Sequence, residues 1–141
     1  MSVKDLKGKT HEFYRNLGSM WCPAIKDNVV FNAHGWVHLS FDSRGHRRGS
    51  SNLRLRLHLF THVPEVVKTA KVQIGPPDRR DIFVKGKKRA VTYFEIAQAC
   101  DGGKQHVTVI LRRIESGKLH YYSVRRTRSK IKKALAKAGL P

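Results

Sequence analysis

Acidic residues are scarce in this chain: 10 Asp and Glu stand against 29 Lys and Arg, a formal charge of +19 over 141 residues. The acids are scattered, with no D-x-D and no closely spaced pair, so a nuclease that grips phosphate between two metal ions would lack its usual ligands. Cysteine is limited to Cys22 and Cys100, without CxxC spacing; reduced, partly buried thiols are expected rather than a disulfide framework. No apolar run approaches the roughly 20 residues that a bilayer span needs. The N-terminal MSVKDLKGKTHEFYRNLG has no continuous apolar core of the signal-peptide kind. A cytoplasmic protein, not bound to membrane, is therefore expected.

What is present is charge together with enough apolar material for one core, since hydrophobic residues make up 40% of the chain. A field this positive attracts polyanions, and nucleic acid is the first partner to expect. Residues 1–27 read as an N-terminal helix and connector, 28–126 as a single α+β domain, and 127–141 as a basic helical tail. Within the first segment Val3 to Leu17 has a thin apolar stripe. Ser19 to Lys26 reads as a connector that plugs Trp21 into the core. NVVFN, from Asn28 to Asn32, suits an edge strand or an extended lead-in. In AHGWVHLS (Ala33–Ser40), Gly35 is expected to interrupt regular structure while Trp36, Val37 and Leu39 bury. From Phe41 to Ser51 the apolar residues give way to a basic loop containing Arg44, His46, Arg47 and Arg48.

The stretch NLRLRLHLFTH (Asn52–His62) combines a leucine series with concentrated cations. Strict alternation of Leu with Arg and His is the period of a half-buried strand, yet at 100° per residue Leu53, Leu57, Phe60 and Val63 also share one arc. A helix fits better, because Ser50, Ser51 and Asn52 offer N-caps and the arc continues to Val63 whereas the alternation stops at Leu59. Arg56 intrudes on that apolar arc, while Arg54, His58 and His62 fall in line at i, i+4 and i+8. Pro64 is placed to open a further short helix.

A short strand is expected at Lys71–Ile74, and beyond the break at Gly75, Pro76 and Pro77 the pattern becomes alternating. Strands are expected at Asp81–Val84, Arg89–Ala99, Lys104–Ile114 and Leu119–Arg126. Helices first and strands second point to α+β, with N-terminal helices packed on a C-terminal antiparallel sheet of about four strands and a basic C-terminal helix over Thr127–Ala138. Treating Ser116 and Gly117 as a two-residue turn pairs Ile114 with Leu119. Val107, Val109, Leu111, Tyr122 and Val124 then face the core. Thr108, Ile110, Arg112, Tyr121, Ser123 and Arg125 share the other, cationic and hydroxyl-rich face.

His34/His38 and His58/His62 are two i, i+4 pairs, a spacing that can hold a metal. Neither carries the Glu of H-E-x-x-H, and the cysteines lie elsewhere, so no metal or other cofactor is expected. Metal-free cleavage of RNA suits the composition better. It needs a base for the ribose 2′-hydroxyl, an acid for the leaving 5′-oxygen and cations for the phosphate. His and Arg supply all three.

The order of helices, the WVHLS segment, the basic loop, the arginine-bearing helix and the strands VTVILRRIESGKLHYYSV before a basic tail resemble the small toxin nucleases of the barnase, EndoU, colicin and RelE (BECR) group, especially forms from phages and mobile elements. The resemblance runs from about Val29 to Arg126. It implies a metal-independent toxin-type endoribonuclease, with His38 the early histidine, Arg54 the helix cation and Ser123 the last-strand hydroxyl; His58, which faces with Arg54, is a further catalytic candidate. Arg44, Arg47, Arg48, His62, Arg112, Arg113, Tyr121 and Arg125 are the expected RNA contacts. A separate acidic antitoxin or immunity protein is the implied partner. The alternative is a non-catalytic RNA- or DNA-binding protein whose cations only neutralise phosphate.

Overall fold

Four of the five helices among the described residues precede the long strands, as the switch in period requires. In the computed structural model, which describes residues 1–42 and 44–140, α1 (Val3–Arg15), α2 (Ala33–Ser40), α3 (Ser50–Phe60) and α4 (Val63–Thr69) lie before Gly75. Strands β3 (Asp78–Val84), β4 (Lys87–Cys100), β5 (Gln105–Ile114) and β6 (Leu119–Arg126) follow, and α5 (Ser129–Lys137) ends the chain. Pro141, expected to help end that helix, lies outside the described residues, as does Ser43 of the basic loop.

The sheet is larger than the sequence suggested. A hairpin, β1 (Ser19–Cys22) and β2 (Asp27–Val30), adds two strands, giving six in the order β1-β2-β6-β5-β4-β3. β2 runs parallel to β6, so the sheet is mixed rather than antiparallel throughout. The Ser19–Lys26 connector is thus half strand, and Trp21 is 53% exposed instead of filling the core. Lys71–Ile74 yields only a single bridge, Gln73 to Ile96, because the following Gly-Pro-Pro carries the chain away from β4 before pairing resumes at Asp78.

The core lies between one face of the sheet and the helices. Phe60 of α3 and Val63, Val66 and Val67 of α4 are fully buried with Ile96, Val109, Leu111 and Val124. α3 is the helix its arc implied, but its N-cap lies one residue before the expected caps. Gly49 is the N-cap and makes no side-chain cap bond. Pro64 opens α4 as expected.

β2 reaches only Leu119 and His120 of β6. Past His120 the outer edge of β6 has no strand neighbour among the described residues, and buried backbone groups along it need partners. α2 and α3 take that place. Gly35, expected to break structure, lies inside α2 for a packing reason. A Cβ there would sit 2.6 Å from the Tyr121 carbonyl oxygen and 2.6 Å from the Tyr14 hydroxyl. Only the missing side chain lets the helix approach β6 this closely. Val37 faces outward at 53% exposure, while Leu39 buries.

Candidate functional site

The expected β5–β6 register holds from Val107–Arg126 to Ile110–Ser123. There Leu111 pairs with Tyr121, leaving Tyr122 as a bulged residue without a partner. A bulge turns adjacent side chains to the opposite face. Tyr121 is therefore fully buried in the core, not displayed to a ligand, and Tyr122 turns onto the other face with Ile110, Arg112, Ser123 and Arg125. Tyr121 packs against Tyr14, Phe31 and Phe60.

That face of the sheet floors a cleft of about 730 Å³. One wall is made by His38 of α2, Arg48 of the loop and Arg56 of α3. The opposite wall is the Ile74–Asp78 segment with Arg80. Tyr122 holds the centre: the His38 ring stacks on it at 4.3 Å and 19°, and the Arg112 guanidinium lies 4.6 Å from its centroid. Tyr93 meets it edge-on at 5.5 Å, with Arg80 over the far ring. Cations and aromatic faces alternate across the floor, an arrangement that suits both phosphate and base stacking.

Arg56, the residue that interrupts the apolar arc of α3, is the link between helix and sheet. Its Nη1 donates to Ser123 Oγ at 2.9 Å and to the Val124 carbonyl at 3.0 Å, and its Nε donates to Asn52 Oδ1 at 3.2 Å. It thus satisfies a carbonyl on the unpaired edge of β6 while placing positive charge in the cleft. Asn52 also accepts from Arg48 Nη1 at 3.4 Å. Rather than capping α3, it ties two arginines together.

Arg48 Nε donates to the His38 carbonyl at 3.1 Å, and its Nη2 lies 3.4 Å from His38 Nε2. Since a guanidinium only donates, Nε2 is the acceptor and the neutral ring carries its proton on Nδ1. Burial and then the neighbouring Arg48, Arg56 and Arg112 push the His38 pKa down to about 4. His120 behaves in the same way: Arg112 Nε donates to its Nε2 at 3.1 Å, and burial followed by Arg112 lowers its pKa to about 4. Arg125 pairs with Glu95, Nη2 to Oε1 at 2.6 Å, so the cleft also holds a carboxylate.

The remaining expected site residues lie elsewhere. Arg54 and His58 line a groove with Val3, and Arg54 Nη1 donates to the Met1 carbonyl at 3.1 Å. His38 and Ser123 therefore share the cleft with Arg56, not with Arg54. Arg44 and Arg47 are exposed on the loop beside it, whose turn is pinned by the Asp42 carboxylate accepting from the backbone N–H of Arg44 and His46. Arg113 pairs with Asp27 of β2. His62 sits at the start of α4, near Cys100. Arg56, Tyr122, Tyr93 and Glu95 belong to the cleft and were not among the expected contacts. Two of them left a trace in the sequence: Arg56 as a charge inside an apolar arc, and Glu95 as a lone acid within the apolar run Tyr93–Ala97.

Among known families, the model described as large polyvalent protein-associated domain 3 matches residues 1–121, that is, everything up to the middle of β6. No curated protein and no solved structure gives a significant match.

Proposed function

The chain belongs to the large polyvalent protein-associated domain 3 family, and we propose that it serves there as a toxin-type module that cleaves RNA without a metal. The observation that supports this most is the placement of His38 among Arg48, Arg56 and Arg112, over a floor bearing Glu95 and Ser123. The cleft has two proton-handling groups and several phosphate donors from separate elements. In the free protein the lowered pKa of His38 leaves its ring neutral at pH 7, and Glu95 is held by Arg125 in the same cleft. A leaving 5′-oxygen needs one of them protonated. Phosphodiester bound by the three arginines offsets their repulsion of a proton on His38 and raises the affinity of that ring for one. Glu95 is accordingly the base for the 2′-hydroxyl and His38 the acid. Arg48, Arg56 and the Ser123 hydroxyl hold the charge building on phosphorus.

The same cations would bind nucleic acid without cutting it, and the shielding of His38 by Arg48 is compatible with that second reading. Incubating the protein with labelled RNA in EDTA separates the two. Products ending in 2′,3′-cyclic phosphate are expected from the native chain and not from His38→Ala or Glu95→Gln. Tight binding without any such ends across varied RNAs would leave only the binding role. A +19 nuclease acting inside the cell that makes it calls for an inhibitor, and a separate acidic chain covering the cleft is the partner we propose.

A further inference from the structure

On the opposite side of the fold from the cleft, three chemically unlike donors converge. His62 and Glu65 lie three residues apart at the start of α4, so they share one face of its first turn. Cys100, the last residue of β4, is delivered beneath them by the sheet. The imidazole nitrogen, carboxylate oxygen and thiol sulfur of these residues all lie within 4.8 Å of one another. We propose that His62, Glu65 and Cys100 form a zinc site with water in the fourth position.

The donor set matches the ion. A nitrogen, an oxygen and a sulfur suit borderline-soft Zn²⁺, and would serve Mg²⁺ or Ca²⁺ badly. Tetrahedral zinc with bonds of roughly 2.0–2.3 Å sets ligand atoms about 3.3–3.6 Å apart, so rotamer adjustments of about an ångström complete the geometry. Local charge favours a cation in spite of the basic surroundings. Glu65 beside the Cys100 thiol and Asp101 next to it in sequence place two acids together in a chain of +19. Arg126, which lines a groove of about 340 Å³ with His62, is an opposing charge nearby. On binding, Cys100 gives its thiol proton to solvent as the S–Zn bond forms, and no oxidation state changes. The ion would join the start of α4 to the β4–β5 turn, where Asp101, Gly102 and Gly103 all have positive φ. None of the three ligands lines the cleft, so the site stands apart from the proposed cleavage.

Cobalt reports on the ligands directly. The full chain, reduced and stripped of metal, is titrated with Co²⁺ and then Zn²⁺. The expected result is a one-to-one thiolate-to-cobalt absorption band that zinc abolishes, with zinc raising Tm by several degrees. Cys100→Ser and His62→Ala lose the band and Glu65→Gln weakens binding at least tenfold, while Cys22→Ser keeps it. Circular dichroism of each variant confirms that it is folded. No band in the folded native chain, or a band that survives Cys100→Ser, overturns the proposal. RNA cleavage is expected to continue in EDTA and in Cys100→Ser, so the two ideas fail separately.

Discussion

At the residue scale, the buried histidines and the displaced tyrosine give the sharpest expectations. His38 and His120 both have pKa values lowered from 6.5 to about 4. The unfolded chain therefore binds more protons than the folded one between these values, and stability falls as pH drops from about 6.5 toward 4. Thermal unfolding followed across that window should show a falling Tm, with a shallower slope in His120→Gln. Histidine resonances carry a second expectation: inorganic phosphate or a mononucleotide should raise the His38 pKa, because the bound anion offsets Arg48, Arg56 and Arg112. An unchanged value at saturating ligand would remove His38 from the phosphate site. The Tyr121 hydroxyl is buried without a hydrogen-bond partner among the described residues. Tyr121→Phe should thus be neutral or stabilising by up to about 1 kcal/mol in urea unfolding, and should leave RNA affinity as it was.

At the scale of elements, the contact of α2 and α3 with the bare edge of β6 decides whether the cleft exists. Gly35→Ala drives a methyl into the backbone of Tyr121 and should cost about 1–3 kcal/mol, the usual penalty of overpacking, measurable as a lower urea midpoint. Arg56→Met strips the Val124 carbonyl and Ser123 of their donor. A loss of about 1–3 kcal/mol is expected from the unsatisfied group, together with weaker RNA binding. Arg54→Met, on the far side of the same helix, should do neither.

The same elements show what the sequence could and could not reveal. α3 was legible because its leucine arc runs on to Val63, and β3 to β6 because alternation and turn residues agree. The β1–β2 hairpin was not, since each strand has four residues and pairs through backbone bonds that leave little side-chain pattern. Gly35 reads as a helix breaker until its neighbour across the interface is known. In the candidate site, His38 and Ser123 were named through the family resemblance and Arg48 through the composition of the basic loop. Arg56 and Tyr122 were misplaced for local reasons: a charge in an apolar arc finds its partner only in the tertiary fold, and one bulged residue exchanges Tyr121 with Tyr122.

For the molecule as a whole, charge and topology work together. A field of +19 draws in any polyanion, and the face of the six-stranded sheet beside His38 concentrates arginine and tyrosine. RNA affinity should fall steeply with salt, since each neutralised phosphate contributes a slope of about −0.7 in log K against log salt for single strands. Removing Arg48 and Arg56 together should flatten that slope by about 1 to 2. The most direct test of the central claim uses a DNA oligonucleotide containing a single ribonucleotide, incubated in EDTA with the native chain and with His38→Ala. Cleavage by the native chain only, immediately 3′ of the ribose and ending in a 2′,3′-cyclic phosphate, is the predicted result. Cutting at deoxyribose positions, equal cutting by His38→Ala, or binding without cutting of this and of all-RNA strands would contradict it.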